Sequence, residues 1–508
     1  MLSTLLPTRT LLFLGLCLTG RRGLASAPEL REQPKNIAVI GAGIGGTATA
    51  FFLRQEFGAG IKIDVFEAGT VGGRLATVKV GDEGYETGGS IIHPLNLHMK
   101  HFVDTLGLSP RKDVPTKVAI FDGEQLIFEE SDWVIVNFFR MVWRYGFNFL
   151  RLQMWVEGML DKFMRIYQYQ QYGYSFTSLE KLLHAMGGDE FLQMVNKTLE
   201  EAMLKAGFSQ SFVNDIVVPV TRVNYGQSVR INAFVGAVSL AGADSGLWAV
   251  DEGNKRVCSG LLYHSKAELI PARVTGITQK MRASRASGTV PQFEVSYNGE
   301  SGSAYSLYDI VIVATPLHQR LSQIAFSGFS PPIPSYFPGR YQQTVSTLVR
   351  GVLNMSFLGS TESPSDFRVS DILTKEHGGL AINSLSSLDP VHIPDGYVRP
   401  PASVKKVWKV FSPQPLSEDQ FRQMFLSWDV ISVEPWLAYP AYSPPHRKPP
   451  FILHDHLYYL NAIEWAASAM EMSAIAARNL ALLAHHQWHG LQGKVDQEDL
   501  HSRLRNEL

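Results

Sequence analysis

The chain has 508 residues and a formal net charge of −1, with 46 Lys and Arg against 47 Asp and Glu. A balance this close to neutral gives no electrostatic case for nucleic-acid binding. Apolar residues make up 45% of the sequence, enough for large cores, and the length predicts two or three domains.

In chain order, residues 1–27 read as a targeting segment. Arg9 precedes the apolar stretch from Leu11 to Leu18, and Ala25-Ser26-Ala27 supplies small residues for cleavage, which is a secretory signal pattern. The stretch is shorter than the ~20 residues needed to span a bilayer. Cys17 leaves with the signal, so Cys258 stands alone and no intramolecular disulfide can form. A lone cysteine of this kind is expected to be buried. Entry into the secretory pathway makes Asn196-Lys197-Thr198 and Asn354-Met355-Ser356 glycosylation sequons.

The next stretch organises the rest. Asn36 to Ile40 has strand character, Gly41-Ala42-Gly43-Ile44-Gly45-Gly46 follows at once, and Thr47 to Gln55 is helix-forming. A second strand, Ile61 to Phe66, ends at Glu67, 21 residues past Gly46. In this dinucleotide-binding pattern each part has a physical task. Gly41 permits the tight turn, Gly43 lets a pyrophosphate approach the backbone, and Gly46 lets helix and strand pack closely. The helix start faces the phosphates, and an acid at the second strand's end binds a free ribose 2′-hydroxyl, as in FAD or NAD. Directly afterwards come Gly72-Gly73-Arg74-Leu75 and Tyr85-Glu86-Thr87-Gly88-Gly89-Ser90. Here the sequence resembles the flavin-dependent amine oxidase superfamily. That resemblance implies FAD, with Gly73 and Arg74 approaching its diphosphate.

Residues 118–128 alternate around Asp122-Gly123 and predict a hairpin. Residues 133–174 are dense in Trp, Phe and Met at helical spacing, broken by Arg140, Arg144, Arg151, Asp161, Lys162 and Arg165. This segment reads as ordinary helix core, as an apolar substrate chamber or as a membrane-facing helix. Residues 175–215 are helical and amphipathic. Helix is expected around Leu261-Leu262, and strands over 273–277, 293–297, 308–317, 344–353 and 404–411. A strand and turn at 457–464 then lead into a helix from about Ala466 to Gln487. The superfamily resemblance implies that Val274 meets the adenine through its backbone. It also implies that the segment Ala469-Met470-Glu471 brings the last helix to the flavin.

The blocks Gly41–Thr47, Val71–Thr77, Gly88–Lys100, Met154–Glu157, Asp161–Tyr167, Val223–Ser228, Gly253–Leu262 and Ala466–Ala477 narrow the likeness. Together they resemble the prenylcysteine oxidase family over nearly the whole mature chain. The resemblance implies an α/β fold: a Rossmann-type FAD-binding domain interleaved with an α+β substrate domain. The segments are then a signal peptide (1–27), FAD-binding parts at 35–110, 226–327 and 451–490, a helical substrate segment (111–225), a substrate-domain sheet (328–450) and a tail (491–508). It implies oxidation of an S-farnesyl- or S-geranylgeranyl-cysteine by oxygen and water, giving prenyl aldehyde, cysteine and peroxide, in the lysosome or after secretion. Peripheral contact with membrane or lipoprotein is a further expectation, and no protein partner is required. Trp465 stands where the oxidase branch is expected to carry cysteine and an oxidase-like branch tryptophan, whereas residues 93–100 side with the oxidase branch. His93 and His98 follow the glycine turn but read as structural loop histidines. No catalytic base and no metal cluster emerges from the residues. An amine oxidase-like enzyme of another substrate, or a secreted flavin-fold lipid-binding protein without turnover, shares the same cofactor machinery.

Overall fold

In the computed structural model, residues 33–506 are described, except 132, 243–245 and 285–287. The expected signal peptide lies outside them. The run at 36–40 forms strand β1 (Asn36–Ile40), parallel to β2 (Lys62–Glu67) on one side and to Ile310–Val313 on the other. A strand covered on both faces needs apolar residues on both, and Ile37, Ala38 and Val39 are fully buried. Helix α1 (Ile44–Phe57) makes the crossover.

The sheet continues past Ile310–Val313 to Leu457–Tyr459, parallel, and Ile452–His454, antiparallel. Past β2 it continues to Glu268–Ser284, parallel, then antiparallel to Gly288–Gly299 and Gly302–Tyr308. Strand order reverses at β1, and open parallel sheets bind ligands at the carboxyl ends of their strands at such a point.

A second sheet of seven strands runs in the order 425–440, 341–353, 406–412, 384–387, 371–374, 118–121, 126–129. The hairpin predicted at 118–128 belongs here, pairing in parallel with Asp371–Thr374, rather than with the helices of its segment. An isolated hairpin is marginal in water, and docking on a sheet satisfies its edge. The 16-residue strand Phe425–Pro440 has no counterpart in the sequence expectations. Its prolines mask it, yet they are tolerated because it is an edge strand.

The aromatic-rich segment forms helices Val134–Tyr145, Asn148–Phe163 and Arg165–Gln171. Met141, Tyr145, Met159 and Phe163 are core, whereas Trp133, Trp143, Phe147 and Met154 face solvent. Among the described residues no helix is long and apolar enough to cross a membrane. The C-terminal stretch is anchored, not loose. Thr177 donates to Asp496 through both its backbone N–H and its hydroxyl, and Leu500 and Leu504 are buried.

Candidate active site

The glycine turn at the end of β1 is shaped by close contacts. Gly41 has φ +109°, and a Cβ there would lie 2.8 Å from the Ala314 carbonyl oxygen. A Cβ on Gly46 would lie 1.8 Å from the Gly41 oxygen, so this position must be glycine for α1 to sit on the turn. Gly43 differs, because a Cβ there would meet only the Gly72 oxygen, at 3.7 Å. Its bareness serves the space outside the turn. Gly73, at φ +56°, faces Gly43, and the Gly72 N–H donates to the Ala42 oxygen at 2.9 Å. The two glycine loops form one cradle. The first-turn N–H groups of α1 open toward it without a side-chain cap.

Glu67 closes the end of β2. One carboxylate oxygen accepts from the Ala42 N–H and the other from the Gly69 N–H, both at 2.8 Å. A carboxylate has about four lone-pair sites, so two remain for a ligand. A cavity of about 270 Å³ opens beside it, lined by Gly41, Glu67, Gly69, Arg273, Val274 and Thr315. The structure thus brings together Gly41, Glu67 and Val274, which lie up to 233 residues apart in sequence (274 − 41). A hollow of about 420 Å³ between Arg54, Lys62, Lys266 and Glu268 lies at the other end of β2, away from the cradle.

The last helix, Met470–His489, brings a second N-terminus to the same place. A Cβ on Gly45 would touch Leu460 at 2.8 Å and Ser473 at 3.5 Å, and one on Gly89 would lie 4.0 Å from Met470. The first turn of α1, the glycine turn at 88–90 and the start of the last helix therefore converge. Two helix N-termini pointing into one region favour an anion there.

Two side chains of the expected site make bonds within the protein. The Glu471 side chain does not face the cradle. It caps helix α2 (Leu97–Thr105), whose Asn96 makes no side-chain cap. One carboxylate oxygen accepts from the His98 N–H at 2.7 Å and the Tyr167 hydroxyl at 2.8 Å, and the other from the Met99 N–H at 3.0 Å. Burial pushes its carboxyl up to about 7 against these hydrogen bonds. What remains of Glu471 for a ligand is its backbone. The guanidinium of Arg74 likewise does not project freely into the cradle. It forms an ion pair with Glu464 and donates to the Ala438 oxygen at 2.5 Å.

Glu464 is the hub that sequence reasoning missed. It is fully buried and also accepts from the Tyr341 hydroxyl and the Asn461 amide, both at 2.9 Å. Its backbone oxygen accepts from Tyr442 at 2.8 Å. This cluster bolts the Gly72-Gly73-Arg74 turn to the second sheet. The available signal was a single acid inside the apolar run Leu457 to Trp465, since acids are almost never fully buried unless paired.

His98 is structural. Burial lowers it to about 4, so it is neutral, with Nε2 2.7 Å from the Gln170 side-chain oxygen. His93 Nδ1 accepts the Leu95 N–H at 3.1 Å, within its own loop. Cys258 is buried and its thiol is pushed up to about 12 by burial. The described residues hold no group of three or more potential metal ligands.

The family pattern described as prenylcysteine lyase matches residues 128–497, and that of an NAD(P)-binding Rossmann-like domain matches residues 39–106. The chain is 52% identical to prenylcysteine oxidase 1 of Mus musculus over 501 residues, 98% of each chain. It is 52% identical to the protein of that name from Homo sapiens, over 96% of each chain. Prenylcysteine oxidase 1-like of Bos taurus is 46% identical, over 96% of this chain and 97% of the relative. Among solved structures, a redesigned putrescine oxidase superposes with a TM-score of 0.54 at 12% identity, covering 89% of this chain and 99% of that one. A conjugated-linoleic-acid-producing fatty acid isomerase from P. acnes superposes with a TM-score of 0.54 at 14% identity, over 90% and 99%. At such identities these structures speak for the fold.

Proposed function

The chain belongs to the prenylcysteine lyase family, and from that premise we propose that it is an FAD-dependent oxidase of S-prenyl cysteines. The observation that carries this reading is the 52% identity with prenylcysteine oxidase 1 across 98% of both chains. The reaction is prenyl-CH₂–S–cysteine plus oxygen and water to prenyl aldehyde, cysteine and hydrogen peroxide. A C–H bond and the C–S bond of the sulfur-bearing carbon break, and water supplies the aldehyde oxygen. Two electrons pass to oxygen. FAD, when bound, supplies the two-electron acceptor for this oxidation.

The protein's part is binding, orientation and exclusion. Gly41, Gly43, Gly46 and Gly73 shape the cradle that would hold the diphosphate, and the N–H groups starting α1 and the last helix would face its charge. Glu67 would take the ribose hydroxyls through its remaining lone pairs. Val274, on the wall of the cavity beside it, would meet the adenine. Arg74, held by Glu464, keeps the Gly72–Gly73 turn in place. His98 is neutral and engaged with Gln170, and Cys258 is buried.

The N-terminal segment and the sequons support entry into the secretory pathway with glycans on Asn196 and, less fully, Asn354; the family resemblance supports a lysosomal or extracellular destination and peripheral lipid or lipoprotein contact. Trp465 packs against Tyr341 and His446 and fills the space over Gly339. Tryptophan here serves packing, and the higher identity with the oxidase 1 relatives favours that branch.

The test is anaerobic addition of farnesylcysteine to the purified yellow protein. Bleaching of the flavin absorbance and formation of farnesal are expected, slowed by deuterium at the sulfur-bearing carbon. A flavin that dithionite reduces but farnesylcysteine does not would refute the activity.

A further inference from the structure

The strand Tyr341–Leu353 turns one face toward the cradle, where the Ser346 hydroxyl donates to the Thr87 oxygen at 2.8 Å, next to the glycine turn at 88–90. Thr344 stands on the same face, and Trp436 lies opposite it on the edge strand Phe425–Pro440. Residues paired in this way project to one side, their Cβ atoms ~4.5–5.5 Å apart. The end of the helix Val218–Tyr225 closes over them. A Cβ on Gly226, its left-handed cap, would lie 3.0 Å from the Thr344 hydroxyl oxygen and 3.2 Å from the Asn383 amide nitrogen. One residue earlier, the Tyr225 hydroxyl donates to the Ser468 oxygen at 3.0 Å, just ahead of the last helix. Both walls of this corner lead to the cradle.

Three buried side-chain atoms here have no partner among the described residues: the Thr344 hydroxyl, the Asn383 amide nitrogen and the Trp436 indole nitrogen. Thr344 and Asn383 are 4% and 3% exposed. All three atoms can donate, and the two nitrogens can do nothing else. Buried donors left unmade are costly, so the corner is built for an acceptor. Arg222, one turn before Gly226, adds a cation. Its Nε donates to the Thr374 hydroxyl at 3.2 Å and its Nη2 to the Ile382 oxygen at 2.9 Å, against the chain entering Asn383. Burial pushes this guanidinium down from its ordinary value, and the acid in its field is Glu376. Glu376 is exposed, as is Glu434, opposite Ser346, and water screens both charges. The other acids of the surrounding elements are engaged elsewhere. Asp371 accepts from the Ser370 hydroxyl, Asp429 pairs with Lys405, and Asp215 pairs with Arg144 and Lys375.

Convergent donors backed by a cation, with no acid bonded to them, select a carboxylate. We propose that Thr344, Asn383 and Trp436, backed by Arg222, receive the α-carboxylate of the S-prenyl cysteine and hold its sulfur-bearing carbon beside the cradle. The identity of the carboxylate rests on the prenyl-thioether reading above. A head held here makes the protein specific for the free amino acid. An ester or peptide bond in place of the carboxylate removes the charge that Arg222 and the donors meet, and leaves buried donors poorly satisfied.

The experiment compares farnesylcysteine with its methyl ester on the full flavin-loaded chain, in wild type, Asn383→Asp and Thr344→Val. Wild type should favour the free acid by about tenfold or more in kcat/KM. Asn383→Asp sets a like charge against the carboxylate and should lower the acid-to-ester ratio about tenfold. Thr344→Val removes only the hydroxyl and should lower the ratio severalfold, with the flavin spectrum as in wild type. A second readout needs no turnover. The sulfone of farnesylcysteine keeps tail and carboxylate but has no sulfur lone pair to stabilise a developing cation. Its perturbation of the flavin absorbance, titrated beside that of its methyl ester, should show the same preference and the same losses in the variants. Wild type that treats acid and ester alike would overturn the proposal. Variants that keep the wild-type ratio would also overturn it, assigning the corner to water. Lost or spectrally shifted flavin in Thr344→Val, with acid and ester affected equally, would give the donors to the cofactor and overturn it as well. Farnesylcysteine that leaves the flavin oxidised, while the sulfone binds with the acid preference, would refute the activity and leave the head site standing.

Discussion

Replacing Glu471 separates a structural acid from a cofactor ligand. In Glu471→Ala the His98 N–H, the Met99 N–H and the Tyr167 hydroxyl all lose their acceptor in a buried place. Each unsatisfied buried donor costs about 1–3 kcal/mol. Water entering the vacated volume recovers part of this, so a loss of about 3–6 kcal/mol is expected, toward the lower end. Glu471→Gln keeps one oxygen for His98 and Tyr167 but turns an N–H₂ toward the Met99 N–H, so about 1–3 kcal/mol is expected. Urea unfolding followed by tryptophan fluorescence and circular dichroism should rank wild type above Gln above Ala. Flavin content at saturating FAD should hold in all three below the transition. The pH dependence carries a sign. Burial raises the folded-state pKa to about 7, above the ordinary carboxyl value, so the folded state binds this proton more tightly than the unfolded one. The stability from this group is fully present below about pH 4.5 and is lost as pH rises through about 7. Glu471→Gln should remove that component of the pH slope. An Ala variant within about 1 kcal/mol of wild type would refute the capping argument. So would flavin loss at unchanged unfolding midpoint, which would put the carboxylate on the cofactor.

Gly43→Val should fold yet purify colourless, because a side chain there meets the Gly72 oxygen only at 3.7 Å but fills the cradle, whereas Gly46→Ala should fail to accumulate, its Cβ falling 1.8 Å from the Gly41 oxygen. Absorbance at the flavin band against soluble yield separates the two. Glycosidase treatment of protein from vertebrate cells should remove a full glycan at Asn196, which is exposed. Asn354 should be less fully occupied, because it is half-buried at the end of a strand. Asn196→Gln and Asn354→Gln, read by gel mobility, check both. Cys258 should resist thiol reagents in the native protein and react at once in urea, since burial raises its pKa to about 12. Native modification at neutral pH would contradict that burial.

The dinucleotide half of the fold was legible because its physics is local. A strand buried on both faces must be apolar throughout, a turn that brings a helix against its own strand must be glycine, and the acid must stand one strand later. Asn36 to Glu67 satisfies all three within one short stretch. Gly41 and Gly46 then behave as the motif demands, each blocked by a carbonyl oxygen. Val274 at the cavity was reached through resemblance, since no local pattern ties a strand at 268–284 to β2. Only the parallel pairing of the two does so.

Tertiary structure decided what depended on partners distant in sequence. Glu464 and Arg74 are 390 residues apart, and neither residue's surroundings reveal that the other will neutralise it. Glu471 reads as a helix-start acid, and it is one, but the helix it caps is α2 rather than its own. Side-chain direction across a packed interface is set by the neighbour. The strand Phe425–Pro440 was hidden because proline argues against strand until the fold makes it an edge. The aromatic segment shows the same division most plainly. Its spacing specified helices, and only their packing determined that Met141, Tyr145, Met159 and Phe163 are core while Trp133, Trp143, Phe147 and Met154 face outward. Periodicity identifies an apolar face, but burial requires something to cover it.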